Sequence, residues 1–128
     1  MTTKEMKTLV ATARSYERSQ LWMEKVLRME RKLEEMERLG AEGEWLEEQR
    51  RLLELQRAQT QYLRVTAREA HERLQQIFGG ITDDYIYQLL SRHYLQGHSW
   101  LNIARHFGGG NTPDSVRKAA SRYLAKLQ

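Results

Sequence analysis

The chain has no cysteine and a single proline, Pro113, and no stretch of it approaches the roughly 18 consecutive apolar residues that a membrane span needs. The first absence excludes a disulfide framework and any thiolate metal site, and it asks for no oxidising compartment. The second leaves long segments free of helix breakers. The first ten residues carry lysines and a glutamate where a signal peptide needs an apolar core, so the expectation is a cytoplasmic protein with no membrane partner. Glycine is confined to clusters at 40 and 43, 79 and 80, 97, and 108–110, which cut the chain into about five uninterrupted segments.

Catalytic patterns are missing as well. His71, His93, His98 and His106 form no H-x-x-x-H pair, and there is no H-E-x-x-H or P-loop string. The run Gly108-Gly109-Gly110 lacks the lysine-serine pair of a phosphate cradle and reads as a turn. The glutamates of the first 78 residues are spaced along helix faces and converge on no pocket. The expectation is a protein that is not an enzyme, with no metal and no cofactor.

What the sequence does have is charge, at 30% of residues, with a mean hydropathy of −0.77. That balance suits helical and coiled-coil proteins better than a thick globular core. The net +4 is unevenly placed: residues 1–78 hold 15 basic and 14 acidic side chains, residues 79–128 six and three. The last 18 residues set Arg117, Lys118, Arg122 and Lys126 against Asp114 alone, and basicity gathered on one terminal element points to a polyanion.

From Trp22, the apolar residues Val26, Met29, Leu33 and Met36 recur at gaps of four and three, the spacing of a coiled-coil seam, with Met23, Leu27 and Leu39 widening the stripe. Met6, Leu9, Val10, Ala13 and Tyr16 extend the helical pattern upstream. Gly40 to Gly43 interrupts it. A second line runs through Leu46, Leu53, Leu63, Ala67, Ala70, Leu74 and Ile77, with Gln49, Gln56 and Thr60 as polar intrusions. Residues 1–78 therefore predict an antiparallel, coiled-coil-like helical hairpin. Its thin seam, and the leftover Met23, Leu27, Trp45, Leu52, Leu55 and Tyr62, predict a homodimer or higher homo-oligomer. The alternative role for this half is a docking surface for another protein such as RNA polymerase.

Residues 82–128 predict a three-helix module, making the whole chain all-α. Thr82 is placed to cap the first helix, with Asp83 and Asp84 in its first turn and Tyr85, Ile86, Leu89, Leu90, Tyr94 and Leu95 apolar. Gly97 stops it. Ser99 caps a short helix from Trp100 to Phe107, Gly108 to Gly110 turn the chain, and Thr112-Pro113 opens the last helix with a cap and a proline at its first position. Val116, Ala120, Tyr123 and Leu127 share one face of that helix. Opposite them stand Asp114, Ser115, Lys118, Ser121, Arg122 and Ala125, with Arg117 on the flank. A short middle helix, a glycine turn and a basic last helix form the arrangement that places the last helix in the major groove, its N-terminal N–H groups able to hold a phosphate.

The string Arg92-His93-Tyr94-Leu95-Gln96-Gly97-His98-Ser99-Trp100-Leu101-Asn102-Ile103-Ala104, followed by Phe107-Gly108 and Ser115-Val116-Arg117-Lys118, resembles the region 4 helix-turn-helix of bacterial sigma-70-type factors. The addition of a charged helical N-terminal half is similar to small phage and mobile-element regulators of the ArpU and RinA type. The resemblance covers about 45 residues. It implies that Trp100, Ile103 and Ala104 pack the first helix of the motif and that Val116 and Leu124 pack the recognition helix. It also implies double-stranded DNA as the partner, met by Asn111, Thr112, Asp114, Ser115, Arg117, Lys118, Ser121 and Arg122. The function expected is a sequence-specific transcriptional regulator. The alternatives are a small-terminase-like DNA-packaging or assembly protein and a coiled-coil adaptor without nucleic acid.

Overall fold

The computed structural model describes residues 1–127, and every regular element in them is helical. Six α-helices follow in order: α1 Thr3–Arg14, α2 Tyr16–Arg38, α3 Glu44–Gly79, α4 Asp84–Leu90, α5 Trp100–Phe107 and α6 Pro113–Ala125, with a π-helical turn, Ser91–Leu95, continuing α4. Among the described residues no helix is long and apolar enough to cross a membrane. The chain divides into two compact units, one of Thr12–Glu69 and one of Met1–Ala11 with the residues from Ala70 onward.

In the first unit α2 and α3 are tied by ion pairs from Glu37 to Arg50 and from Glu30 to Arg57, the latter at 2.9 Å. Both pairs step by seven residues in opposite chain directions, which is the register of antiparallel helices. The buried side of α3 follows the expected line through Leu46, Leu53, Thr60 and Ala67, but Leu63 is 42% exposed. The expected seam of α2 is displaced. Its buried residues are Ser19, Met23 and Val26, while Trp22, Met29 and Met36 stand 44%, 44% and 38% exposed. The line that faces α3 continues from Met23 and Val26 through half-buried Glu30 and Leu33 to Glu37, where the two carboxylates meet arginines. Counting hydrophobic residues alone chose a neighbouring stripe, because two glutamates occupy positions of the true one. Exposed pairs of this kind contribute up to about 1 kcal/mol each, so they select register more than they stabilise.

Upstream of α2 the helix breaks at Ser15, whose hydroxyl donates to the Thr12 carbonyl at 2.6 Å. The buried line Met6, Val10, Ala13 changes phase there before resuming at Ser19. A single first helix of about 36 residues, as a plain hairpin requires, is therefore replaced by two.

The second unit is built on Leu89, Ile103, Ala104 and Val116, with Tyr85, Ile86, Trp100, Phe107 and Ala119 packed around them. Leu90, Tyr94, Ala120 and Leu124 are also buried. Asp83, not Thr82, caps α4, accepting from the amides of Tyr85 at 2.9 Å and Ile86 at 3.4 Å. A carboxylate is at least as good a cap as a hydroxyl, and at this position it shortens the helix by one residue. The π turn carries a hydrogen bond from the Gln96 amide to the Ser91 carbonyl, five residues back, and closes with Gly97 at φ +76° and a hydrogen bond from the His98 amide to the Arg92 carbonyl, six residues back.

Helix α1 starts in this same unit, a placement that sets the observed division inside α3 and not at Gly79-Gly80. The Met1 ammonium donates to the Leu127 carbonyl at 2.8 Å, the Tyr94 hydroxyl shares a hydrogen bond with the Thr3 side chain, and Met6 is fully buried. Met6→Ala should therefore destabilise by about 2–5 kcal/mol, as Ile103→Ala should, while Leu101→Ala at an exposed site should cost about 0.5 kcal/mol or less. Urea denaturation of the three variants checks this; a neutral Met6→Ala would detach the N-terminus from this core.

Candidate nucleic-acid interface

The start of α6 is fixed by its own cap. The Thr112 hydroxyl oxygen accepts from the Ser115 amide at 3.1 Å and the Ser115 hydroxyl accepts from the Thr112 amide at 2.8 Å, a reciprocal capping box followed by Pro113. Among the helix's first amides, the cap takes Ser115 and proline has none, so Asp114 supplies the one N–H left to meet a phosphate. The expectation of several free donors at this end contracts to that one.

The turn before α6 is as tightly specified. Gly108 and Gly109 both have positive φ, at 64° and 61°, where a side chain would strain the backbone. Asn111 spans the turn: its amide nitrogen donates to the Gly108 carbonyl at 2.9 Å and its oxygen accepts from the Tyr85 hydroxyl at 2.8 Å. Tyr85 in turn meets the Phe107 ring edge-on at 5.1 Å. Asn111 thus joins α4, the turn and α6, with its side-chain oxygen and one N–H engaged.

Of the eight expected contact residues, the structure gathers Asp114, Arg117, Lys118 and Arg122 on the exposed side of α6, opposite buried Val116, Ala120 and Leu124. Thr112 and Ser115 are exposed but occupied with the cap, and Ser121 is half-buried. Asp114 pairs with both Arg117 and Lys118, the second at 2.9 Å, and all three side chains are more than half exposed. Hydrogen bonds from Arg117 first and Lys118 second hold the Asp114 carboxyl below its ordinary range. The spacing of three and four residues makes this double pairing legible in the sequence.

On α5, Ser99 caps as expected, accepting from the Asn102 amide at 3.1 Å. Ile103 and Ala104 are buried, and Arg105 and His106 are exposed basic groups in the last turn. Trp100 is half-buried and stacks on His93, ring centroids 3.7 Å apart and 16° from parallel. His93 Nδ1 lies 2.8 Å from the His98 carbonyl and therefore donates to it. Among the described residues no three histidine or acidic side chains come together as a metal site requires. Comparison with protein-family models, curated proteins and solved structures returned no match.

Burial, reinforced by Lys7 and opposed by the bond to His98, pulls the His93 pKa below its ordinary 6.5. The unfolded chain then takes the proton first, so the stability due to neutral His93 is present above pH 6.5 and is lost as pH falls below it towards the folded-state pKa. The melting temperature should drop between pH of about 7.5 and about 5.5, and His93→Gln, which keeps a donor for His98, should flatten that drop. Equal slopes in the two proteins would remove His93 as the cause.

Proposed function

We propose that the chain is a sequence-specific double-stranded DNA-binding protein of the transcription-regulator class, with α4 to α6 acting as a helix-turn-helix module and α6 as its reading helix. The observation that carries this is the polarity of α6: one face is held in the core by Val116, Ala120 and Leu124, and the other presents Arg117, Lys118 and Arg122 to solvent. An α-helix fits the major groove, and arginine or lysine reads guanine edges or neutralises phosphates there. The short α5, the two left-handed glycines and the capped start of α6 support this reading. The resemblance to sigma-70 region 4 and to ArpU- and RinA-type regulators agrees with this reading. In the same reading the antiparallel α2 and α3 form the arm of a helical hairpin that joins copies, and the protein works in the cytoplasm without catalysis.

Asp114 gives the interface a built-in counter-charge. In free protein it satisfies Arg117 and Lys118, and on DNA the two cations exchange that carboxylate for phosphate or base oxygens. Each base contact contributes on the order of 1–3 kcal/mol of discrimination, whereas an exposed ion pair within one helix contributes a few tenths, so the exchange runs towards DNA.

The test is selection of a site from random duplexes, followed by titration of that site and a scrambled duplex at several salt concentrations. Arg117, Lys118 and Arg122 each changed to alanine should lose about 1–3 kcal/mol on the selected site where they meet bases, or lose affinity evenly with a shallower salt slope where they meet phosphate. Lys118→Ala should disturb site preference most and Arg122→Ala the salt slope most. Asp114→Asn should bind the scrambled duplex a few-fold more tightly. A folded triple alanine variant that binds both duplexes as wild type does would end the proposal.

A further inference from the structure

One face of the α2–α3 pair is apolar, exposed and divided by charge. Towards the start of α2, a groove of about 670 Å³ is floored by Trp22, Val26, Met29 and Leu63 and walled by Lys25, Arg28 and Lys32. Gln59 lines the same groove, and from it a stripe runs back along α3 at gaps of three and four through Leu55, Leu52, Glu48 and Trp45. The three apolar members of that stripe stand 46–56% exposed. Glu44 and Glu48, both exposed, flank Trp45 at the start of α3, whereas Glu35 on α2 near the same end is paired with Arg38. The groove end is therefore basic and the start of α3, with Glu44 and Glu48, acidic.

A surface whose halves carry opposite charge is complementary to itself when a second copy is laid on it antiparallel, which is what a two-fold interface demands. We infer that this face docks a second copy of the chain, the groove of each copy receiving Trp45, Leu52 and Leu55 of the other. The acidic start of α3 then lies against Lys25, Arg28 and Lys32 twice over. Trp45 of each copy then lies against the groove that holds Trp22 of the other, so an aromatic anchor of the kind interfaces use stands at each end of the two-fold contact. An unrelated acidic helix fits the groove too, but it leaves the Trp45 stripe uncovered, and a second copy covers both. The inference rests on the proposed function only in joining two reading modules; association is measured without DNA, so either reading can fail alone.

The experiment is charge exchange in the full chain, with mass measured by sedimentation at micromolar concentration. Wild type should be a dimer. A groove variant (Lys25→Glu, Arg28→Glu, Lys32→Glu) and a turn-end variant (Glu44→Lys, Glu48→Lys) should each dissociate at least about a hundredfold more readily, since each opposes like charges twice. Mixed in equal amounts they should form a heterodimer, because both of its contacts then join opposite charges. In a second measurement on the wild-type charges, Met29→Cys with Leu52→Cys in this cysteine-free chain should give a dimer linked between position 29 of one copy and 52 of the other under mild oxidation. A monomeric wild type, a variant that stays dimeric, a mixture that does not associate, or the absence of the 29–52 link would each overturn the inference.

Discussion

What α6 can offer a partner depends on how its other face is held. Val116, Ala120 and Leu124 are fully buried, and Val116 joins Leu89, Ile103 and Ala104 in one cluster. Truncating a core side chain of this kind costs about 2–5 kcal/mol, several times what any exposed ion pair on the helix contributes. Rotation of α6 is therefore decided by the core, and the charged side follows from it. Asn111 completes the arrangement by binding Tyr85 on α4 and Gly108 in the turn, so that three elements meet at one amide.

The exposed side is less simply cationic than its composition. Asp114 draws Arg117 and Lys118 together at the start of the helix, leaving Arg122 a turn further on. Such pairing keeps two long side chains ordered and partly neutral in water, where their charges are screened, and it yields when a polyanion concentrates charge at the surface. On the proposed reading the carboxylate lowers affinity for arbitrary duplexes, while a site with correctly placed acceptors still recovers both cations. On that reading the same residue would favour discrimination over general adhesion.

Much of this was legible in the sequence, because caps and glycines are local signals. Ser99, Thr112-Pro113, Gly97 and the Gly108-Gly109 turn all act where the pattern placed them, and the packed residues Ile103, Ala104, Val116 and Leu124 are buried. Non-local facts were not legible. Nothing local to Met1 or Met6 announces that they pack with residues beyond 70, and nothing in Asn111 says that its amide is claimed by Tyr85. The α2 seam was misplaced for a related reason: Glu30 and Glu37 face α3 only because Arg57 and Arg50 stand opposite, a partnership invisible to hydrophobic periodicity. The π turn at Ser91–Leu95 likewise leaves no mark in a pattern that runs smoothly through Leu90, Tyr94 and Leu95.

On the proposed reading α6 is the element that meets DNA. Backbone amide shifts of the full chain, followed as a duplex carrying the selected site is added, test it most directly. The largest changes should fall between residues 112 and 122, with smaller ones at Arg105 and His106 and little along α2. Changes centred on α2 and the first half of α3, with α6 unmoved, would contradict it.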